Sequence, residues 1–164
     1  MTERRKATEA EANALASGIR LRIIRLTHAE ALTNKELAER LHRDPATTLH
    51  HVRKLVETGF LAPQQPRRGN RGAKEIPYLS TGLSWQLDGM GEELDEAMLE
   101  AYLAEITEVP AGGLKQTRLV VRLSPEELEE FTTRLDDLFE EYVAKPPRDG
   151  TEGTAIYLAT YPSR

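Results

Sequence analysis

Apolar and polar residues recur along this chain in blocks whose period changes. Residues 1–8 are polar and are expected to fray, and Glu9 to Ala16 is Ala-rich and helical until Ser17-Gly18 breaks it. Ile19, Ile23 and Leu26 then return at helical spacing, with Leu21 and Ile24 widening the stripe and Arg20, Arg22 and Arg25 between them. This predicts a second helix ending near His28. Thr33-Asn34-Lys35-Glu36 has the form of a capping box, in which the Thr hydroxyl accepts an early backbone N–H and the Glu reaches back. Leu37, Ala38 and Leu41 form the inner face of the short helix that follows, ending near His42. Asp44 is then a helix cap, Pro45 suits the first helical position, and Gly59 stops a helix that runs to Thr58.

Beyond it, Phe60-Leu61-Ala62 reads as a strand start and Lys74 to Leu79 as the returning strand. Pro77 suggests an edge position or irregular pairing. Residues 63–72 are rich in breakers, so the pair is a hairpin with a long basic tip. Ser80 to Gly91 is a connector carrying Trp85, which reads as an anchor docking the linker onto a domain. Glu92 to Val109 is a long helix with a stripe from Leu94 to Ile106, read as a helix-packing or dimer face, and Pro110 to Gly113 ends it. Thr117 to Leu123 alternates like a strand, with Leu119, Val121 and Leu123 on one face. Ser124-Pro125-Glu126-Glu127 starts a helix that should bury Leu128, Phe131, Leu135, Leu138 and Phe139 and end near Ala144. After a loop, Thr154 to Tyr161 reads as a last strand, with Ile156 and Leu158 on one face. The fold class is α+β. Residues 9–82 are expected to form a winged helix-turn-helix DNA-binding domain, and residues 83–164 an acidic dimerisation or effector domain with a long helix followed by strand–helix–strand.

Charge sharpens this division. The 164 residues carry 22 Lys+Arg against 27 Asp+Glu, a net of −5. Residues 1–80 hold 15 basic and 9 acidic side chains, a balance of +6, whereas residues 81–164 hold 7 and 18, a balance of −11. A basic half points to a polyanionic partner, and an acidic half resists collapse onto it. The chain has no Cys. That excludes disulfide frameworks, thiolate zinc sites, iron–sulfur clusters and Cys nucleophiles, and is compatible with a reducing cytosol. No apolar run approaches a membrane span, and the first residues lack the apolar stretch of a secretory signal.

The candidate chemistry lies in residues 45–58. With Val52 at the centre of the inner face, Thr48, Leu49, Leu55 and Val56 fall within about 60° of it at helical periodicity. Thr47, His50, Lys54 and Glu57 fall opposite, and His51 and Arg53 flank the face. Thr47, His50 and His51 are suited to base edges in a major groove, and Arg53 and Lys54 to phosphates. The hairpin tip adds Arg67, Arg68, Asn70, Arg71 and Lys74, with Gly69 and Gly72 letting the backbone turn and approach closely. Such a wing can lie along phosphates or insert an Arg into a narrow minor groove.

Three segments carry a family resemblance: Ala14-Leu-Ala-Ser-Gly-Ile-Arg-Leu-Arg-Ile-Ile, Thr33-Asn-Lys-Glu-Leu-Ala, and His51-Val-Arg-Lys-Leu-Val-Glu-Thr-Gly-Phe-Leu. Over roughly residues 10–80 the chain resembles the arsenical-resistance-repressor (ArsR) type of winged-helix bacterial regulator. The resemblance implies a dimeric, DNA-binding transcriptional regulator in the cytoplasm. Leu49 stands where that family often has Ser, which shifts base contacts to neighbouring residues. The cysteines of its metal-sensing members are absent, so sensing in that style is not expected.

No cofactor or metal site is expected. His50 and His51 are helix neighbours about 100° apart and poorly placed to share one ion. The paired acids of the second half read as solvated helix faces, and no phosphate loop, nucleophile elbow, HExxH or dinucleotide fingerprint is present, so no enzyme is indicated. The leading expectation is a homodimer reading an inverted-repeat operator on double-stranded DNA, with an unidentified small-molecule effector allowed by the acidic half. The alternatives are a winged-helix protein-interaction module, or a small ligand-binding protein acting through the C-terminal half.

Overall fold

A computed structural model describes residues 4–69, 72–146, 148 and 150–163. The strands are β1 (Arg5–Lys6), β2 (Leu32–Thr33), β3 (Leu61–Pro63), β4 (Arg67–Arg68), β5 (Lys74–Glu75), β6 (Pro77–Ser80) and β7 (Leu87–Asp88). The helices are α1 (Glu9–Leu15), α2 (Gly18–Leu26), α3 (Asn34–Arg40), α4 (Pro45–Glu57), α5 (Glu92–Ile106) and α6 (Pro125–Val143). The chain divides into two units, Arg4–Val109 and, after it, Pro110–Arg164. The boundary read from the sequence, after residue 82, falls inside the first of these.

The first unit is organised around Leu15, Ile23, Leu37, Val52, Leu55 and Phe60, each at most 1% exposed. These residues come from five elements or their ends, so α1–α4 and the start of β3 share one core. Local capping places them. Thr8 and Glu11 form a reciprocal capping box on α1, and Thr33 and Glu36 form another on α3. Asp44 accepts from the backbone N–H groups of Ala46 and Thr47 at the start of α4, and Pro45 sits where its missing N–H costs nothing.

α3 and α4 end in the same way. The His42 N–H donates to the Glu39 carbonyl and the Arg43 N–H to that of Ala38; the Gly59 N–H donates to Val56 and the Phe60 N–H to Leu55. Both are Schellman closures, which need a left-handed residue. Gly59 has φ +80°, and His42 holds φ 51° without being glycine.

A three-stranded antiparallel sheet, in the order β2-β6-β3, closes the unit. The edge position expected from Pro77 is not what forms: β6 lies in the centre, with Pro77 opposite Thr33 and Leu61 opposite Ser80. Pro77 is tolerated because it is the first residue of its strand. The expectation of fraying over residues 1–8 is also corrected for the described part. β1 pairs in parallel with β7, the Ala7 N–H donates to the Asp88 carbonyl at 2.9 Å, and Arg5 meets Glu11 at 2.6 Å. The Arg4 guanidinium stacks over Trp85 at 4.6 Å, so Trp85 anchors the N-terminal arm to the connector.

α5 packs on α2, and its Ala97 and Ala101 are buried. Its acids meet the arginines of α2: Arg22–Glu108 at 2.7 Å and Arg25–Glu105 at 2.9 Å. The two charge halves of the sequence are therefore not two domains. Residues 4–109 hold 15 basic and 16 acidic side chains, because the acidic helix covers a ridge of arginines.

In the second unit, α6 forms as expected, with a capping box between Ser124 and Glu127. The strands expected over 117–123 and 154–161 do not form among the described residues. Leu128, Phe131 and Leu138, expected to be buried, are 50%, 43% and 48% exposed, and Leu135 and Phe139 are only half-buried. The physical reason is the same for both corrections: a strand needs a neighbouring strand for its backbone groups, and an amphipathic helix needs a facing apolar layer.

Candidate nucleic-acid interface

The two helices that build the candidate surface are α3 and α4. The Arg43 backbone closes the turn between them, and Asn34 ties them by donating to the Pro45 carbonyl at 2.9 Å. Thr48, Val52 and Leu55 are buried on the inner face of α4, as the periodicity requires, and the Thr48 hydroxyl donates to the Asp44 carbonyl at 2.9 Å. This fixes the rotation of α4. Thr47, His50, Arg53 and Glu57 are then exposed on its outer side. Lys54 is half-buried and lies beside Glu9 and Asn13 of α1.

His51 is placed differently from its neighbour. It is half-buried against a cavity of about 130 Å³ lined also by Ser17, Arg43, Thr47 and Glu100. Its Nδ1 is buried with no hydrogen-bond partner among the described residues. Burial depresses its pKa, and the nearby positive charges of Arg20, His50 and Arg43 add to that effect. The neutral form of His51 is thereby favoured and its ring lines the cavity, while His50 is exposed; the two rings meet edge to face at 5.7 Å. Periodicity groups these neighbours because both border the polar face, and the packing of α4 on α2 separates them.

The wing is a short ladder of its own: Arg67 is opposite Glu75 and Arg68 opposite Lys74. Gly72 takes φ +78° in the turn, a conformation that favours glycine. Arg68 and Lys74 are exposed and form no ion pair among the described residues. Arg67 is engaged, with its Nη2 on Glu36 Oε1 at 2.5 Å. Glu36 serves two purposes, because its other oxygen accepts from the Thr33 N–H at 2.8 Å and so caps α3. Backbone and side-chain bonds from Thr33, followed by the Arg67 contact, hold its carboxyl below the usual range. The Arg67–Glu36 pair straps the wing to α3, a role that sequence spacing does not reveal because 31 residues separate the partners. Asn70 and Arg71 lie outside the described residues.

The surface therefore brings together Thr47, His50 and Arg53 on one helix and Arg68 and Lys74 on one hairpin. Among the described residues, no group of three or more His, Cys, Asp or Glu side chains is arranged to hold a metal. No described helix is long and apolar enough to cross a membrane.

Residues 15–64 match a family model described as a helix-turn-helix domain. That span contains α2, α3 and α4, and with the β3–β6 hairpin the first unit has the winged form of this fold. No curated protein matches the chain. Among solved structures, the chain is similar to reduced HlyU from Vibrio cholerae, with 18% identity over 60% of this chain and 84% of that one and a TM-score of 0.37. It is similar to an apo form of a ZitR variant from Lactococcus lactis, with 19% identity, coverage of 77% and 83%, and a TM-score of 0.36. A MepR variant from S. aureus, bound to an oligodeoxyribonucleotide, shows 17% identity, coverage of 79% and 78%, and a TM-score of 0.36.

Proposed function

We propose that the protein is a sequence-specific DNA-binding transcriptional regulator of the ArsR-like winged-helix kind, acting in the cytoplasm as a homodimer on an inverted-repeat operator. The observation that carries this reading is the division of labour on the first unit. A capped, rigidly rotated helix exposes small and polar side chains, Thr47 and His50, while a hairpin presents the exposed cations Arg68 and Lys74. α5 neutralises Arg22 and Arg25 of α2, so the exposed positive charge is concentrated where the helix-turn-helix meets its wing. Thr47 and His50 would read base edges in the major groove, and Arg53, Arg68, Arg71 and Lys74 would grip phosphates. His51 supports α4 from behind in this reading, and Arg67 positions the wing.

The test is a selection of binding sites from random duplex DNA at near-physiological salt, with an Arg68→Ala/Lys74→Ala variant alongside. An enriched inverted repeat is expected. The variant should bind it more weakly, with a salt dependence shallower by about 0.9 log units for each phosphate it no longer neutralises. His50→Ala or Thr47→Ala should change the selected sequence instead. No enriched motif in the unaltered protein would overturn the reading.

A further inference from the structure

The second unit has the local features of a folded layer, yet its apolar side chains are exposed. α6 is capped at Ser124, begins with Pro125 and spans 19 residues. Its apolar residues recur at helical spacing, yet Leu128, Phe131, Leu138 and Tyr142 are 43–61% exposed. Leu119, Val121, Ile156 and Leu158, which the alternation assigns to inner strand faces, are 52–65% exposed.

We infer that this unit is the homodimerisation surface and that a second copy of the same chain covers it, segment 117–123 and α6 of one copy meeting those of the other across a two-fold axis. The inference deepens the homodimer reading above by naming its interface.

Three observations select a second copy as the occupant. The first is area. A fully buried apolar side chain removes on the order of 100 Å² from water, and an aromatic one more. The exposed apolar side chains from Leu119 to Tyr161 therefore offer roughly 1,000 Å² per copy, against the ~800 Å² per partner of a stable interface. Exposed patches on monomers seldom exceed a few hundred Å² (about 300–600).

The second is strand pairing. The two strand-forming segments, 117–123 and 154–161, do not pair among the described residues, and a two-fold axis brings a second copy of each beside the first.

The third is charge. Residues 110–125 carry Lys115, Arg118 and Arg122 and no acid, and these three form no ion pair among the described residues. Residues 126–141 carry eight acids and only Arg134. A basic segment and an acidic helix in one chain are self-complementary in an isologous pair, in which each contact occurs twice. A nucleic acid would be repelled by this helix.

The test compares the full chain with Leu128→Glu/Phe131→Glu and with Arg118→Glu/Arg122→Glu by sedimentation equilibrium. The unaltered chain should be dimeric. The apolar variant should dissociate at least tenfold more readily, and the charge variant should weaken the dimer in a way that added salt diminishes. Hydrogen exchange on the unaltered chain guards against a variant that simply fails to fold: amides of 117–123 and 154–161 should gain protection as protein concentration rises. A monomeric chain, a dimer unmoved by both variants, or protection independent of concentration would overturn the inference. Binding to a single operator half-site separates this from the DNA reading. It persists, with the dimer intact, in both variants if only the interface is misassigned, and it is absent from an intact dimer if only the DNA role is.

Discussion

The most direct test of how the helix-turn-helix is built is Gly59→Ala, paired with His42→Gly. Both positions close a helix by the same two backbone bonds and both are left-handed, at φ +80° and 51°. A Cβ added at Gly59 would meet only Leu83 Cδ2, at an ordinary 3.6 Å. Packing therefore contributes nothing to the cost, and the backbone alone decides it. A left-handed residue with a Cβ costs about 1–2 kcal/mol. Alanine also restricts the unfolded chain, which returns about 0.4–1 kcal/mol. The expected net loss is about 1 kcal/mol, or roughly 4 °C in Tm for a domain near a hundred residues. His42→Gly reverses the terms and should gain about 0.5–1 kcal/mol. Trp85 is the only tryptophan and lies in the first unit, so its fluorescence during urea unfolding reports on that unit. An unchanged midpoint in Gly59→Ala, or a destabilised His42→Gly, would show that backbone conformation does not govern these closures.

Four other outcomes are expected. Phe60→Ala removes a side chain 1% exposed at the junction of α4 and β3, and should cost about 3–5 kcal/mol in the same assay. Thr33→Ala should cost about 1 kcal/mol by uncapping α3, and should also weaken DNA binding because Glu36 then loses the Thr33 hydroxyl bond that helps aim it at Arg67 and keeps only the backbone one. Glu11, held at about 2 chiefly by its bond to Arg5 and then by Thr8, contributes stability that is complete above about 4.5 and lost as pH falls toward 2; acid titration followed by hydrogen exchange at Lys6 and Ala7 should show the arm opening in that window. His51 has a depressed pKa, so its contribution is complete above the ordinary histidine value of about 6.5 and is lost as pH falls below it. His51→Gln should flatten that part of the stability profile without altering the DNA sequence selected, whereas His50→Gln should alter the sequence selected.

Local chemistry made much of the first unit legible. Thr33 with Glu36, Asp44 with Pro45, and Gly59 each act within a few residues, so the capping pattern and the inner face of α4 could be read directly. Thr8 and Glu11 carry the same signature and define the start of α1 within a segment whose polarity suggested fraying. His42 carried no comparable signal, because its left-handed conformation is imposed by the turn into α4 rather than preferred by its side chain.

Where helices begin and stop, and which side of α4 is apolar, follow from residue order alone, since caps, glycines and 3.6-residue periodicity are short-range. What those elements meet was settled by packing. It placed β6 between two strands despite Pro77, set the acids of α5 against Arg22 and Arg25, tied Arg67 to Glu36 across the fold, and turned His51 inward while leaving His50 outside. It also left segments 117–123 and 154–161 without a sheet. Ion pairs, strand ladders and burial depend on neighbours distant in sequence, and periodicity specifies an apolar face without specifying what covers it.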